Sequence, residues 1–158
     1  MLKITTEMAA EYNVLGVPFP NKAHSTDSGF DIFAPCRISL NPGERNTIPL
    51  GVKFNIKLPF WALPLRLLGF GIEAQIRPKS GLSKQGIDIE IGTVDEPYRG
   101  FVGATVTNTT KKTFVFEAHQ KICQIVFVPV FNRVKLVKGR VKTNTVRGAK
   151  GFGSSGRG

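Results

Sequence analysis

Among its 158 residues the sequence has only two cysteines, two histidines and one tryptophan. Cys36 and Cys123 stand alone, with no second thiol or imidazole at metal-ligand spacing, which excludes a disulfide framework and a zinc-type cluster. Both read as small buried hydrophobes, and a reducing compartment is the natural setting. His24 and His119 are equally isolated. Long apolar runs are also missing. The longest, FWALPLRLLGFGI, has 13 residues with Pro64 and Arg66 inside it, and the N-terminal MLKITTEMAAEY has no apolar h-region. A soluble, cytoplasmic protein is expected. Helical periodicity is scarce too: no window longer than about ten residues keeps a 3.6-residue repeat free of Pro and Gly, which excludes a helical bundle. Acidic residues stop at Glu117, while Lys121, Arg133, Lys135, Lys138, Arg140, Lys142, Arg147, Lys150 and Arg157 follow. With a formal net charge of +11, such a chain attracts polyanions, either a nucleic-acid backbone or a nucleoside triphosphate.

What is present in quantity is turn chemistry. The 17 glycines and 10 prolines are scattered through the chain, and apolar or period-two runs lie between them. Strands are predicted at Arg37–Leu40, Thr47–Ile56, Ile72–Ile76, Ile87–Gly92, Gly103–Asn108, Thr113–Glu117, Ile122–Val130 and Lys135–Val141. Turns fall at Asn41-Pro42-Gly43-Glu44, at residues 108–112 and at Asn132-Arg133. One short helix is expected at Ser80–Lys84. Eight or more short strands with regular turns imply an all-β, single-domain β-sandwich or jelly roll. Its last strand is expected to end near Val146, so that residues 1–146 form the domain. Residues 147–158, mostly Gly, Ser, Lys and Arg around Phe152, cannot pack a core of their own and read as a flexible C-terminal arm.

Inside that arm Gly151, Gly153 and Gly156 have the G-x-G-x-x-G spacing of dinucleotide-binding loops. Only two residues follow Gly156, so no helix can open there to face a pyrophosphate, and the dinucleotide reading fails. The arm still suits phosphate chemistry. Glycine lets backbone N–H groups crowd an anion, Arg147 can fork onto phosphate oxygens, and Phe152 can stack on a base.

Four further stretches, STDSGFDIFAP at 25–35, RPKSGLS at 77–83, IGTVDEPYRG at 91–100 and KICQIVF at 121–127, match in order the motifs of the trimeric dUTP pyrophosphatases (dUTPases), and RGAKGFGSSG resembles that family's fifth motif. The resemblance runs from Ser25 to Gly156. It implies a distorted jelly roll of the β-clip type, hydrolysis of dUTP to dUMP and pyrophosphate, and a homotrimer. Each active site would take motifs one, two and four from one chain, motif three from a second and the arm from a third.

Hydrolysis between the α- and β-phosphates needs an in-line water, a base for its proton and charge to stabilise the transition state. The resemblance makes Asp95 the base, with Glu96 as the rival carboxylate, and sets Tyr98 beneath the deoxyribose where a 2′-hydroxyl would clash. Uracil is best read by fixed backbone donors and acceptors, and the run Gly86–Gly92 is the candidate hairpin, with Gly92 admitting the ring. Ser80 and the Gly81 amide would meet phosphate at a helix N-terminus, together with Lys79 and the side chain of Gln124. Arg147, Phe152, Gly153, Ser154 and Ser155 would close over the nucleotide. Mg²⁺ is expected on the substrate's phosphates, with Asp31 reached through water.

Three positions depart from the family's pattern: Lys79 stands where arginine is usual, Pro97 where an acidic residue is common, and Phe101 where a polar or acidic one is. Residues 60–71 are longer and more apolar than the loop expected there, and form an insert without an assigned role. Two other readings are compatible with the scaffold. One is a regulatory or nucleic-acid-binding module using the basic C-terminal third. The other is a dCTP deaminase-like enzyme, which the Asp95 and Tyr98 spacing and the Phe152 arm disfavour.

Overall fold

The computed structural model describes residues 3–58, 60–145 and 148. The order is β1 (Lys3–Met8), α1 (Ala10–Val14), β2 (Gly29–Phe33), β3 (Ile38–Leu40), β4 (Arg45–Pro49), β5 (Val52–Lys57), a 3₁₀ turn (Phe60–Ala62), α2 (Leu63–Leu67), β6 (Phe70–Pro78), α3 (Ser80–Ser83), β7 (Ile87–Ile89), β8 (Gly92–Val94), β9 (Gly103–Asn108), β10 (Phe114–Phe116) and β11 (Lys121–Phe131). All strand pairs among the described residues are antiparallel. A four-stranded sheet runs β2-β11-β6-β8 and a three-stranded one β4-β9-β7, with the pairs β1-β5 and β10-β3 beside them.

One core joins these sheets. Ile32, Ala74, Ile76, Val94 and Ile125 of the larger sheet pack in a cluster with Ile48, Ile87, Ile89, Ala104 and Val106 of the smaller. The expected all-β architecture is therefore present. Period-two patterning explains how each strand takes its place: β9 alternates half-buried and buried residues along its whole length, so Ala104, Val106 and Asn108 face inward. Phe116, Leu40, Leu50, Ile87, Ile122 and Ile125 are fully buried, each contributing roughly 1.5–3 kcal/mol over exposure. Asn108 is the polar member of this interior and is fully satisfied. Its Nδ2 donates to the Leu40 and Lys112 carbonyls, and its Oδ1 accepts from the Thr110 amide and hydroxyl. That network builds the expected turn at residues 108–112.

Several sequence expectations are corrected. The predicted strand Thr47–Ile56 is two strands. At Gly51, φ is +64° and a Cβ would lie 2.2 Å from the Tyr12 ring, so the chain turns there and passes from the β9 edge to the β1 edge. Ile87–Gly92 likewise divides, β7 pairing with β9 and β8 with β6, so it is not one hairpin. Lys135–Val141, predicted as a strand, has no strand structure, and Leu136 and Val141 are 94% and 82% exposed. Its alternation is real, but among the described residues it pairs with no sheet edge; the last described strand ends at Phe131. The expected helix is α3, ending at Ser83, and α1 and α2 are additional. α2 tolerates Pro64 because it sits in the first turn, where the missing N–H is not needed.

β1 and β2 escaped the pattern reading for different reasons. In β1 the inward face is Ile4, Thr6 and Met8, a weak apolar signal. In β2 a charged residue, Asp31, stands mid-strand. Pro129 lies inside β11 but beyond Val126, where β2 has ended and that edge is open. Among the described residues no helix is long and apolar enough to cross a membrane.

Cys123 is buried as expected, but Cys36 is exposed, because it lies in the bend that follows β2. Desolvation pushes the Cys123 thiol up to about 12. Under native conditions iodoacetamide should modify one thiol per chain, at Cys36, and reach Cys123 only after denaturation. Peptide mapping by mass spectrometry reads this directly, and native labelling at Cys123 would contradict the packing described.

Candidate active site

Register brings three of the motif segments together at one end of the larger sheet. Gln124 of β11 lies directly opposite Asp31 of β2 on one side and Arg77 of β6 on the other. Cross-strand neighbours share a face with Cβ atoms about 5 Å apart, so the three side chains form a row. The ladder shifts by one residue between Lys121 and Cys123. This irregularity lets Ile122 and Cys123 both enter the core while Lys121 and Gln124 both reach Asp31.

Asp31 is the centre of the cluster. Its side chain is 4% exposed, Oδ1 accepts from Lys79 Nζ at 2.5 Å and from Gln124 Nε2 at 3.2 Å, and Oδ2 accepts from Lys121 Nζ at 2.7 Å. Burial alone would raise its pKa. The hydrogen bonds from Lys121, Lys79 and Gln124 outweigh burial and hold the carboxyl below its ordinary value. Two ammoniums against one carboxylate leave the cluster with an excess positive charge.

The same donor set bears on direct metal ligation by Asp31. Both oxygens are engaged by cations, and no group of three or more His, Cys, Asp or Glu side chains able to hold a metal occurs among the described residues. These residues do not fit a direct metal ligand set, and their excess positive charge suits a phosphate instead.

Lys79 also occupies the N-cap position of α3, without a side-chain cap bond, so helix capping does not account for Ser80. Ser80 and Gly81 are exposed, and a Cβ at Gly81 would meet nothing within 4 Å. The chain's own packing therefore does not require that glycine.

A second group forms at the opposite edge of the same sheet. Among the described residues β8 pairs only with β6, Gly92 facing Ile76, and a Cβ at Gly92 would sit 3.3 Å from Ile76 Cδ1. After β8 the Tyr98 N–H donates to the Asp95 carbonyl at 2.9 Å, closing a turn. The Tyr98 hydroxyl donates to the Phe101 carbonyl at 3.1 Å, and its ring lies over Gly100, where a Cβ would meet the hydroxyl at 2.3 Å. A cleft of about 220 Å³ results, lined by Gly92, Thr93, Asp95, Tyr98, Phe101 and Gly103 among others. Of the run Gly86–Gly92 only Gly92 lines it. Asp95 is exposed, and among the described residues its carboxylate is in no ion pair.

The structure thus gathers Lys79, Gln124 and Asp31 in one group and Gly92, Asp95 and Tyr98 in another. No member of the first group lines the cleft of the second. Arg147, Phe152, Gly153, Ser154 and Ser155 lie outside the described residues. Sequence reasoning missed Lys121, which precedes the matched KICQ glutamine by three residues. Its signal was a lysine at the foot of a strand whose partner carries an inward aspartate.

A family model described as dUTPase matches residues 16–156. The chain is 37% identical over 158 residues to the deoxyuridine 5′-triphosphate nucleotidohydrolase of Clostridium novyi, covering 98% of this chain and 99% of that protein. It is 40% identical over 140 residues to the enzyme of the same name from Gloeothece citriformis, covering 87% and 88%. Its fold is similar to that of a Staphylococcus bacteriophage 80alpha dUTPase solved with dUpNHpp, with a TM-score of 0.78, 22% identity, and 98% and 99% of the two chains covered.

The Asp31 cluster yields a pH prediction. A carboxyl with a depressed native pKa stabilises the fold above its unfolded value of about 3.9 and loses that contribution as pH falls through the native value. Asp31→Asn should cost about 1–3 kcal/mol at pH 7, because two ammoniums lose their counter-charge. The gap between variant and wild type should narrow as pH falls below the unfolded value and through the depressed native one. Urea midpoints measured across that range check it; a gap independent of pH would remove the ion-pair explanation.

Proposed function

The chain belongs to the dUTPase family, and from that premise we propose that it hydrolyses dUTP to dUMP and pyrophosphate by in-line attack of a water that Asp95 deprotonates. The observation carrying this reading is the exposed Asp95 carboxylate at the rim of a cleft that also holds Gly92 and Tyr98. In the step, the water oxygen bonds to the α-phosphorus as the bond to the bridging oxygen of pyrophosphate breaks, and the proton passes to Asp95. The base would enter beside Gly92 and be read by backbone groups of β8 and β9. The sugar would lie on Tyr98, whose ring is held in place by the Phe101 carbonyl.

The phosphate half belongs to the other group. Lys79, Gln124, the Ser80 hydroxyl and the Gly81 amide would face the phosphates, with the positive excess of the Asp31 cluster behind them. Open space at Gly81 supports an approach from outside this chain. The two groups occupy different edges of one sheet, which favours a homotrimer in which base and sugar bind one subunit and phosphates a neighbour. Residues 147–158 of a third would close over the nucleotide through Arg147, Phe152, Gly153, Ser154 and Ser155. Mg²⁺ would arrive on the triphosphate, where it neutralises charge on the phosphates. Asp31 serves as the counter-ion of Lys79 and Lys121.

Two measurements test this. With Mg²⁺ and a panel of dUTP, dTTP, dCTP and UTP, pyrophosphate release should be fastest for dUTP, and Asp95→Asn should lower it by at least about 10²-fold while nucleotide affinity stays nearly unchanged. Comparable turnover in the variant removes Asp95 from the role.

Deletion of everything after Val146 should leave the oligomer intact by light scattering but remove most turnover, since closure excludes water and positions the phosphates. A truncated protein as active as the full chain refutes the arm's part.

A further inference from the structure

The insert at residues 60–71 is tied to the turn that carries Asp95. Arg66, in the last turn of α2, donates from Nη1 to Oε1 of Glu96 at 2.6 Å. Glu96 follows Asp95 directly, and its side chain is 13% exposed against 53% for Arg66. The carboxylate lies low because residue 71 is glycine: a Cβ there would stand 3.2 Å from Glu96 Oε2 and 2.2 Å from Asn132 Nδ2. The far end of α2 is held as well. The Asn132 N–H donates to the Gly69 carbonyl at 2.7 Å, and Arg133 Nη1 donates to the Leu67 carbonyl.

The charges around Glu96 single out Arg66. Glu73 of β6, Asp95 and Glu96 line one cleft of about 330 Å³, three carboxylates in one place. Arg99, the cation of the turn itself, directs its Nη1 to the backbone carbonyls of Glu96 at 2.6 Å and Tyr98 at 2.8 Å. Glu73 accepts from Gln75 at 2.6 Å. Among the described residues the cation paired with the Glu96 carboxylate is Arg66.

We infer that Arg66 is a positioning residue: through Glu96 it holds the Asp95–Tyr98 turn against α2, so that the insert belongs to the catalytic apparatus without touching substrate. The physical need is clear from the topology. The turn follows a three-residue edge strand paired on one side only, and one backbone hydrogen bond closes it. A base must be held to within a fraction of an ångström, and such a turn cannot supply that alone. Without Arg66, Glu96 would face Asp95 and Glu73 with no counter-charge and swing outward, carrying Asp95 with it. Because the Arg66 end of the pair is half-exposed and Glu96 can swing out to water when unpaired, the pair adds little to global stability, and its loss should move turnover far more than melting.

The inference rests on Asp95 as the base, and the test separates the two. In the full-length assembled protein, Arg66→Met and Glu96→Gln should each lower kcat on dUTP by about 10- to 100-fold. KM should stay within about threefold and the melting temperature should be nearly constant. Arg66→Lys should recover most of the loss. The double variant should be no worse than the poorer single one, because both changes remove one contact. A wild-type kcat in Arg66→Met, or losses that multiply in the double variant, overturns the inference while leaving the function standing. If the wild type fails to hydrolyse dUTP, the function falls instead. The clasp is then judged by fluorescence anisotropy of Trp61, the sole tryptophan, which lies in the insert. Lower anisotropy in both variants sustains the clasp, and unchanged anisotropy sinks it.

Discussion

A buried carboxylate with two ammoniums on it organises one end of this molecule. Asp31 binds Lys121 and Gln124 from the neighbouring strand and Lys79 from the start of α3, so three segments far apart in sequence are fastened at one point. An unpaired carboxylate there would be strongly penalised, and apolar side chains in its place would leave no charge for a polyphosphate. Because two cations meet one anion, the cluster is both a structural fastening and a source of positive potential. Lysine at position 79 suits this geometry: a compact ammonium reaches a single buried oxygen, whereas a guanidinium fork would need room for two contacts.

The opposite edge of the sheet is built by different means. There the chain relies on glycine and backbone carbonyls: Gly92 against Ile76, Gly100 beneath Tyr98, and the Phe101 carbonyl on the Tyr98 hydroxyl. Fixed backbone groups discriminate a heterocycle's edge without side-chain entropy, and a cationic cluster grips phosphates without reading a base. In the proposed function one sheet would separate base recognition from phosphate binding, and the proposed trimer would recombine them. The apolar insert joins this arrangement from outside, one ion pair connecting α2 to the turn beside Asp95.

How much was legible depends on whether the signal was local. The all-β class, the turns at residues 41–44 and 108–112, strand β9 and helix α3 were readable, because period-two burial and turn residues act over a few positions. β2 was hidden by Asp31, whose place in a buried strand makes sense only once Lys79, Lys121 and Gln124 surround it. The breaks at Gly51 and near Glu90 were also hidden, since a sheet change is decided by which edge is free. Lys135–Val141 shows the converse: its alternation is present, but a strand needs a partner edge. Cys36 was misjudged because residue type predicts burial only on average.

By itself the sequence determined the composition of the two groups and the order of the motifs, since these depend on residue type and spacing. Tertiary structure decided their pairing. Only the ladder between β2, β11 and β6 could set Gln124 beside Asp31, only the one-residue register shift could bring Lys121 there as well, and only the packing of α2 on β6 could reveal Arg66 beside Glu96. The physical reason is that electrostatic and hydrogen-bonded contacts act over a few ångströms, and the chain brings such distances about between residues far apart in sequence, 93 positions for Asp31 and Gln124.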